Sequence, residues 1–305
     1  MEKKALIAIA IIGILAGSFI AWTAFGLIAG ERVLDEDEEE TVNIFISGST
    51  TCFPIIVRCA EVYEADEENF NIGVSGGGSS KGISDVINGL VDLGMASRPL
   101  KSSESSITGM TQLAFAADGI ALAMSAGNTH FSGGNIPQWT MEDVLKVFNG
   151  TYRYWDEVPG CEDHVQIVLI GRDSNSGTRA SFEEITGLQD DDGYLEIVGG
   201  THAWQTIAEL TSNGAVHDSV AADQDAIGYI GLGYIDAAVD TIDLWKFDNF
   251  YQATAANVKS GDYPISRNLY LVYRYAIPGD AEDFVNFIFS SEGQAIVEDE
   301  GFVKL

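Results

Sequence analysis

The chain has 305 residues, with 46 acidic against 16 basic side chains and a formal charge of −30. That length can bury a large core, as one domain or two. The charge argues against nucleic acid as a partner, since phosphate backbones demand basic surface, and an acid excess of this size reads as a surface adapted to high salt.

Met1-Glu2-Lys3-Lys4 precedes an uncharged, mostly apolar run from Ala5 to Ala29. A spanning helix needs about 20 such residues, whereas the apolar core of a signal peptide has only about 7–15. Residues 1–30 are therefore predicted to be a membrane anchor in preference to a cleaved signal segment, with Lys3 and Lys4 on the cytoplasmic side. Either way the chain beyond Gly30 is expected outside the cytoplasm, held at the cell membrane, or secreted or periplasmic if the segment is cut. Asp35 to Glu40 is unbroken acid, and residues 31–40 read as a solvated, self-repelling tether.

Beyond the tether, strand and helix signals alternate. Thr41 to Ser47 reads as a buried strand, Phe53 to Ala65 as a helix with Pro54 in its first turn, Phe70 to Val74 as a strand, Lys81 to Leu90 as a helix and Val91 to Met95 as a strand. This βαβαβ order implies a parallel sheet with ligand sites at the strand C-termini. Ser102 to Thr111 reads as a polar loop or weak helix. Gln112 to Ser125 is expected to supply two strands around Asp118-Gly119. Met141 to Phe148 reads as a helix started by Thr140, ahead of the turn Asn149-Gly150-Thr151 and the aromatic stretch Tyr152 to Trp155. His202 to Thr211 looks helical, Ala226 to Ile230 reads as a strand, Tyr263 to Tyr275 carries strand signals, and Ala281 to Phe289 and Glu292 to Glu300 close the chain as helices. The α/β units fall into two groups, which suggests two lobes.

Three stretches share one grammar: an apolar strand, a Gly/Ser/Thr cluster, then a helix. They are Asn43–Ile46 into Ser47-Gly48-Ser49-Thr50-Thr51, Ile72–Val74 into Ser75-Gly76-Gly77-Gly78-Ser79-Ser80, and Val165–Ile170 into Gly171-Arg172-Asp173-Ser174-Asn175-Ser176-Gly177-Thr178. A helix start offers unbonded N–H groups and the positive end of a dipole, small residues admit a ligand to that backbone, and hydroxyls add neutral donors. A single such loop is usually an N-cap; three that converge would form a pocket for a small oxyanion. Two of the chain's eight arginines, Arg98 after Ala96-Ser97 and Arg172 after Ile170-Gly171, stand at predicted strand ends, and the guanidinium fork suits tetrahedral oxyanions.

Gly78-Ser79-Ser80-Lys81-Gly82 also matches G-x-S-x-G, the nucleophile elbow of serine hydrolases. An extracytoplasmic hydrolase using Ser80 is thus the alternative, with His130, His164, His202 and His217 downstream as bases, though no His-Gly-Gly loop accompanies the motif. No GK[ST], S-x-x-K or H-x-x-x-H pattern occurs, so a P-loop, β-lactamase-like chemistry and a zinc site are not indicated, and no cofactor is expected. Asn149-Gly150-Thr151 fits a glycosylation acceptor or a plain turn equally. Cys52, Cys59 and Cys161 are odd in number and lack metal spacing. Cys52 and Cys59 stand two helical turns apart, too far for a bridge. Pairing of either with Cys161 stays open, and buried thiols are the expectation.

Taken in order, several segments resemble the family of phosphate-binding, substrate-binding proteins of the phosphate ABC transporter. They are Ser47–Thr51 with Phe53-Pro54, Gly76–Ser80 with Gly82-Ile83, Asp92–Arg98, Val147–Gly150 with Trp155, Gly171-Arg172 with Ser176–Arg179, Ala226–Gly231, and Ser291–Gln294 with Gly301–Val303. The resemblance implies an α/β, two-lobed periplasmic-binding-protein-like fold with a hinge and an interlobe cleft, with residues 41–117 plus 262–305 in one lobe and 118–261 in the other. It implies capture of inorganic phosphate and delivery to a membrane permease, without catalysis, by a monomer. Ser49, Thr50, Thr51, Ser79 and Ser80 would donate from one lobe, with Ser97 and Arg98 beside them, and Arg172, Ser176, Gly177 and Thr178 would close from the other. Some members carry an Asp, which accepts the proton of hydrogen phosphate, where Arg98 stands here. The acceptor is left open among Asp92, Asp118 and Asp173.

Overall fold

In β1 (Val42–Gly48), Ile44 and Ile46 turn into a core while Phe45 stays exposed, the period-two pattern of a strand. The computed structural model describes residues 41–131, 137–190, 193–194, 208–277 and 279–305. After β1 come α1 (Phe53–Asp66), β2 (Phe70–Ser75), α2 (Ser79–Ile87) and β3 (Leu93–Ala96). Pro54 lies in the first turn of α1, where a missing N–H costs no helical bond. β1 pairs in parallel with both β2 and β3, so the starts of α1 and α2 and the end of β3 share one rim.

A short α3 (Ser102–Ser105) leads to β4 (Met110–Ser125), one unbroken strand of 16 residues. The expected break at Asp118-Gly119 does not occur. Gly119 serves close packing instead of a turn: a Cβ there would lie 2.7 Å from Val258 Cγ2. Next are β5 (Gln138–Trp139) and α4 (Met141–Phe148), whose start is capped by reciprocal bonds between Thr140 and Asp143. Asn149-Gly150-Thr151 is a turn, with Asn149 Oδ1 accepting the Thr151 N–H. The chain continues through β6 (Val168–Arg172), α5 (Gly177–Thr186), the ribbon of β7 (Gln189–Asp190) and β8 (Gly193–Tyr194), β9 (Ala208–Leu210), α6 (Asn213–Ala222) and β10 (Ala226–Gly231). It closes with β11 (Val239–Thr241), β12 (Asp243–Lys246), β13 (Asn249–Tyr251), α7 (Ala255–Lys259), β14 (Ser266–Arg274), α8 (Gly279–Phe289), α9 (Ser291–Asp299) and β15 (Val303–Lys304). Of the helix expected over His202–Thr211, residues 202–207 lie outside the described residues, and Ala208–Leu210 form a strand parallel to β6.

The main sheet runs β2-β1-β3-β14-β4-β10-β6-β9, with β11 and β15 also paired to β4. β14 is antiparallel to both β3 and β4, so the sheet is mixed and not wholly parallel. Two large cores flank it. One gathers Ile44, Ile55, Leu93 and Phe284; the other gathers Trp139, Trp155, Phe182 and Ile227. Three segments pass through both: β4, with Phe115 in the first and Ile120 in the second, the run from Tyr263 and Ile265 into Leu269 and Leu271 of β14, and the C-terminal pair Phe302 and Val303. The architecture is a two-lobed α/β fold joined by adjacent crossing strands. All three cysteines are buried free thiols. Among the described residues no helix is long and apolar enough to cross a membrane, and the apolar run at residues 5–29 lies outside them.

Candidate functional site

The loops at Ser49–Thr51, Ser79-Ser80 and Ser176–Thr178 come together. At the first, Gly48 has φ 135°, and a Cβ there would sit 2.3 Å from Met95 O, so glycine lets β1 end against β3. Ser49 Oγ accepts the Thr51 N–H at 3.2 Å, which tightens the turn ahead of α1. At the second, Ser79 opens α2, and its Oγ accepts the Ser97 N–H at 2.9 Å and lies 3.3 Å from Ser97 Oγ.

The third loop closes onto both. Ser176 caps α5 by accepting the Arg179 N–H at 3.1 Å. Thr178 Oγ1 lies 3.0 Å from Thr51 Oγ1. Ser80 N donates to Asn175 O at 3.1 Å, and Ser181 Oγ donates to Ser97 O at 3.2 Å. A Cβ on Gly177 would stand 2.1 Å from Ser79 Oγ and 2.6 Å from Ser97 Oγ, so only glycine permits this approach of two helix starts.

Two guanidiniums are buried among these loops. Arg172, 1% exposed, donates through Nε to Leu210 O at 3.1 Å and through Nη2 to Thr50 Oγ1 and Thr211 O, each at 3.2 Å. Its Nη1 has no partner. Burial, with Arg267 close by, lowers its pKa to about 10 against the pull of Tyr229 and Asp173. Arg267 on β14 pairs with the fully buried Asp118, Nη2 to Oδ2 at 2.8 Å. The same Nη2 donates to Thr51 Oγ1 at 3.0 Å and Thr178 Oγ1 at 3.1 Å, and Nη1 donates to Ser97 O at 3.2 Å. Burial raises the Asp118 carboxyl pKa, with Arg267 opposing. Asn213, at the start of α6 and 0% exposed, donates from Nδ2 to Thr51 Oγ1 at 2.8 Å, while its Oδ1 has no partner.

Arg98 is placed differently. Glu104 grips its fork with two bonds of 2.8 Å, Pro99 O takes a third, and it reaches the loops only through Ser80 Oγ at 3.3 Å. Of the open acceptors, Asp92 takes the Phe45 N–H at 2.8 Å, Asp173 takes the Asn175 N–H at 2.9 Å, and Asp118 is committed to Arg267 and the Leu232 N–H. Sequence reasoning missed Arg267 and Asn213, which carry no motif of their own in β14 and at the start of α6.

Ser80 is not arranged as a nucleophile, since its Oγ faces Arg98 and no histidine. His130, His164 and His217 each bond carboxylates elsewhere, and His202 lies outside the described residues. Among the described residues no cluster of His, Cys, Asp or Glu could hold a metal. The convergence of α1, α2 and α5 starts, with two buried guanidiniums beside one fully buried carboxylate and the partly exposed Asp173, favours a tetrahedral oxyanion.

Fold and loops together define a two-lobed binding protein. A model of the PBP superfamily domain matches residues 35–292, and the chain belongs to that superfamily. It is 30% identical to a Clostridium perfringens protein assigned as a phosphate ABC transporter substrate-binding protein and solved with bound phosphate, with a TM-score of 0.75 over 86% of this chain and 99% of that one. It is 29% identical to the phosphate-binding protein PstS of Borreliella burgdorferi, over 89% of this chain and 92% of that protein. The phosphate-binding protein PstS of Bacillus subtilis is 26% identical, over 88% and 83%.

Proposed function

We propose that this protein is an extracytoplasmic receptor that captures inorganic phosphate between its lobes and hands it to the permease of an ABC transporter. The observation that carries this is Arg172, buried with an unpartnered Nη1 while its Nη2 bonds the Thr50 hydroxyl of the loop ahead of α1. A buried donor without a partner costs roughly 1–3 kcal/mol, and an oxyanion at this place would satisfy it. Thr50, Thr51, Ser79, Ser97 and Thr178 supply neutral donors, Gly177 lets the lobes meet, Ser49 and Ser176 shape their turns, and Ser80 and Arg98 brace the second helix start.

Residues 41–117 with 262–305, and 118–261, act as the two lobes. They swing about β4 and the segment entering β14. The protein binds and releases without chemistry, as a monomer, and its apolar N-terminal run holds it to the membrane by the acidic tether. Isothermal titration of the full chain with phosphate tests the reading. One saturable site and a raised melting temperature are expected; no heat and no thermal shift would reject it.

A further inference from the structure

Asn149 is the one asparagine of the chain that begins the pattern Asn-x-Ser/Thr, as Asn149-Gly150-Thr151. That pattern is the acceptor of N-linked sugar on chains outside the cytoplasm. The same three residues make a turn, and the geometry of that turn decides what the amide can do. Asn149 ends α4 at φ −89° and ψ 0°, with its backbone N–H on Leu145 O at 2.8 Å. Gly150 reverses the chain at φ 75° and gives its N–H to Val147 O at 3.2 Å. Thr151 then donates its backbone N–H to Asn149 Oδ1 at 2.9 Å.

That last bond fixes the amide. A backbone N–H can only donate, so the atom facing it is the oxygen, and Nδ2 points away from the turn. Among the described residues nothing bonds Nδ2, and it is not one of the buried atoms without a partner, so it meets solvent. Thr151 is exposed, and its hydroxyl has no partner among the described residues either. The nitrogen that would carry sugar and the hydroxyl that the pattern requires are both within reach from outside. α4 turns Val144, Val147 and Phe148 into the core, so a group added to Nδ2 displaces none of that packing. An Asn-Gly pair can instead lose its amide when the glycine nitrogen attacks Cγ, but the bond from Gly150 N–H to Val147 O opposes that attack.

We propose that Asn149 is a modification site, the acceptor for N-linked glycosylation by a lipid-linked sugar phosphate at the outer face of the cell membrane. This rests on the extracytoplasmic placement given above and not on the identity of the bound anion. In the transfer Nδ2 attacks the anomeric carbon of the sugar. The bond from that carbon to the phosphate oxygen breaks, the oxygen leaves with the electron pair, and Nδ2 passes one proton to a base of the transferring enzyme. As that proton goes, charge gathers on Oδ1, where the Thr151 N–H already stands. The product is a bulky, hydrophilic cover over the end of α4.

The test uses the full chain isolated from the membranes of the cells that naturally make it. Lys146 and Arg153 bracket the site, so one tryptic peptide, residues 147–153, reports it. Mass spectrometry is expected to find that peptide heavier by whole sugar residues, with fragment ions placing the sugar on Asn149. Asn149→Gln and Thr151→Ala, produced in the same cells, should lose the added mass, and Thr151→Ser should keep it. Thr151→Ala retains the backbone N–H that holds the amide, so it removes the hydroxyl without undoing the turn, and melting curves of the variants check the fold. An unmodified peptide in the parent, or sugar that persists in Thr151→Ala, would overturn the proposal. Labelling of intact cells with a membrane-impermeant amine reagent reports the placement separately, and a chain left unlabelled would overturn that placement as well.

Discussion

Arg267 and Asp118 are direct cross-strand partners on β14 and β4, and their side chains form a buried ion pair 2.8 Å long where two chain segments pass between the cores. Removing one member leaves the other charged and unmatched in the interior. Arg267→Met is expected to lower stability by about 3–5 kcal/mol, and the double variant Asp118→Asn/Arg267→Met by markedly less. Urea unfolding of Arg267→Met, Asp118→Asn and the double variant measures the difference; a double-variant loss equal to the sum of the two single losses would mean that the pair is not coupled.

Arg172 and Arg98 should separate sharply. Arg172→Ala is expected to weaken phosphate by about 10- to 150-fold. Arg98→Ala deprives Glu104 of its partner and should cost stability while changing phosphate affinity far less. Calorimetry and thermal melts on the same two variants decide the matter, and a larger affinity loss at Arg98 would reverse the assignment.

Gly177→Ala would place a methyl 2.1 Å from Ser79 Oγ. The fold of each lobe should survive, since alanine is a stronger helix former than glycine, but the loops could not meet. Weaker phosphate binding is expected, along with a larger radius of gyration in saturating phosphate by small-angle scattering. A compact, tight-binding variant would contradict this.

His217 lies between Asp236 and Asp218, each at 2.9 Å. Burial works against its charge, but the two carboxylates outweigh that and raise its pKa above the ordinary 6.5. A raised value in the folded state stabilises fully below the unfolded value and is lost as pH climbs through the folded one. His217→Gln should therefore lower the melting temperature at acidic pH and have progressively less effect at alkaline pH, as melting curves across that range would reveal.

Much of the site could be read from residue order because its donors sit at helix starts, and helix starts are written locally. Ser176 caps α5 with its own side chain, Gly48 stands where backbones crowd, and Gly177 stands against the Ser79 and Ser97 side chains. Asp118-Gly119 misled for the same reason. The pair is a strong local turn signal, yet Asp118 is held in a continuous strand by Arg267, 149 residues away, and Gly119 by the closeness of Val258. Arg267 and Asn213 gave no local sign: their roles depend on Thr51, 216 and 162 residues distant. The cores were easier, because apolar periodicity reports burial without naming the neighbour.

The protein separates its charges by depth: a formal −30 over the whole chain, yet guanidiniums and helix starts within. An arriving anion is turned away at long range and welcomed only at close range. Salt shortens the reach of the outer field to about 8–10 Å near 0.1–0.15 M while leaving the sheltered interior largely untouched. Loading should therefore quicken as ionic strength rises, opposite to a receptor that draws its cargo in with surface charge, so that brine itself would act as the throttle on uptake.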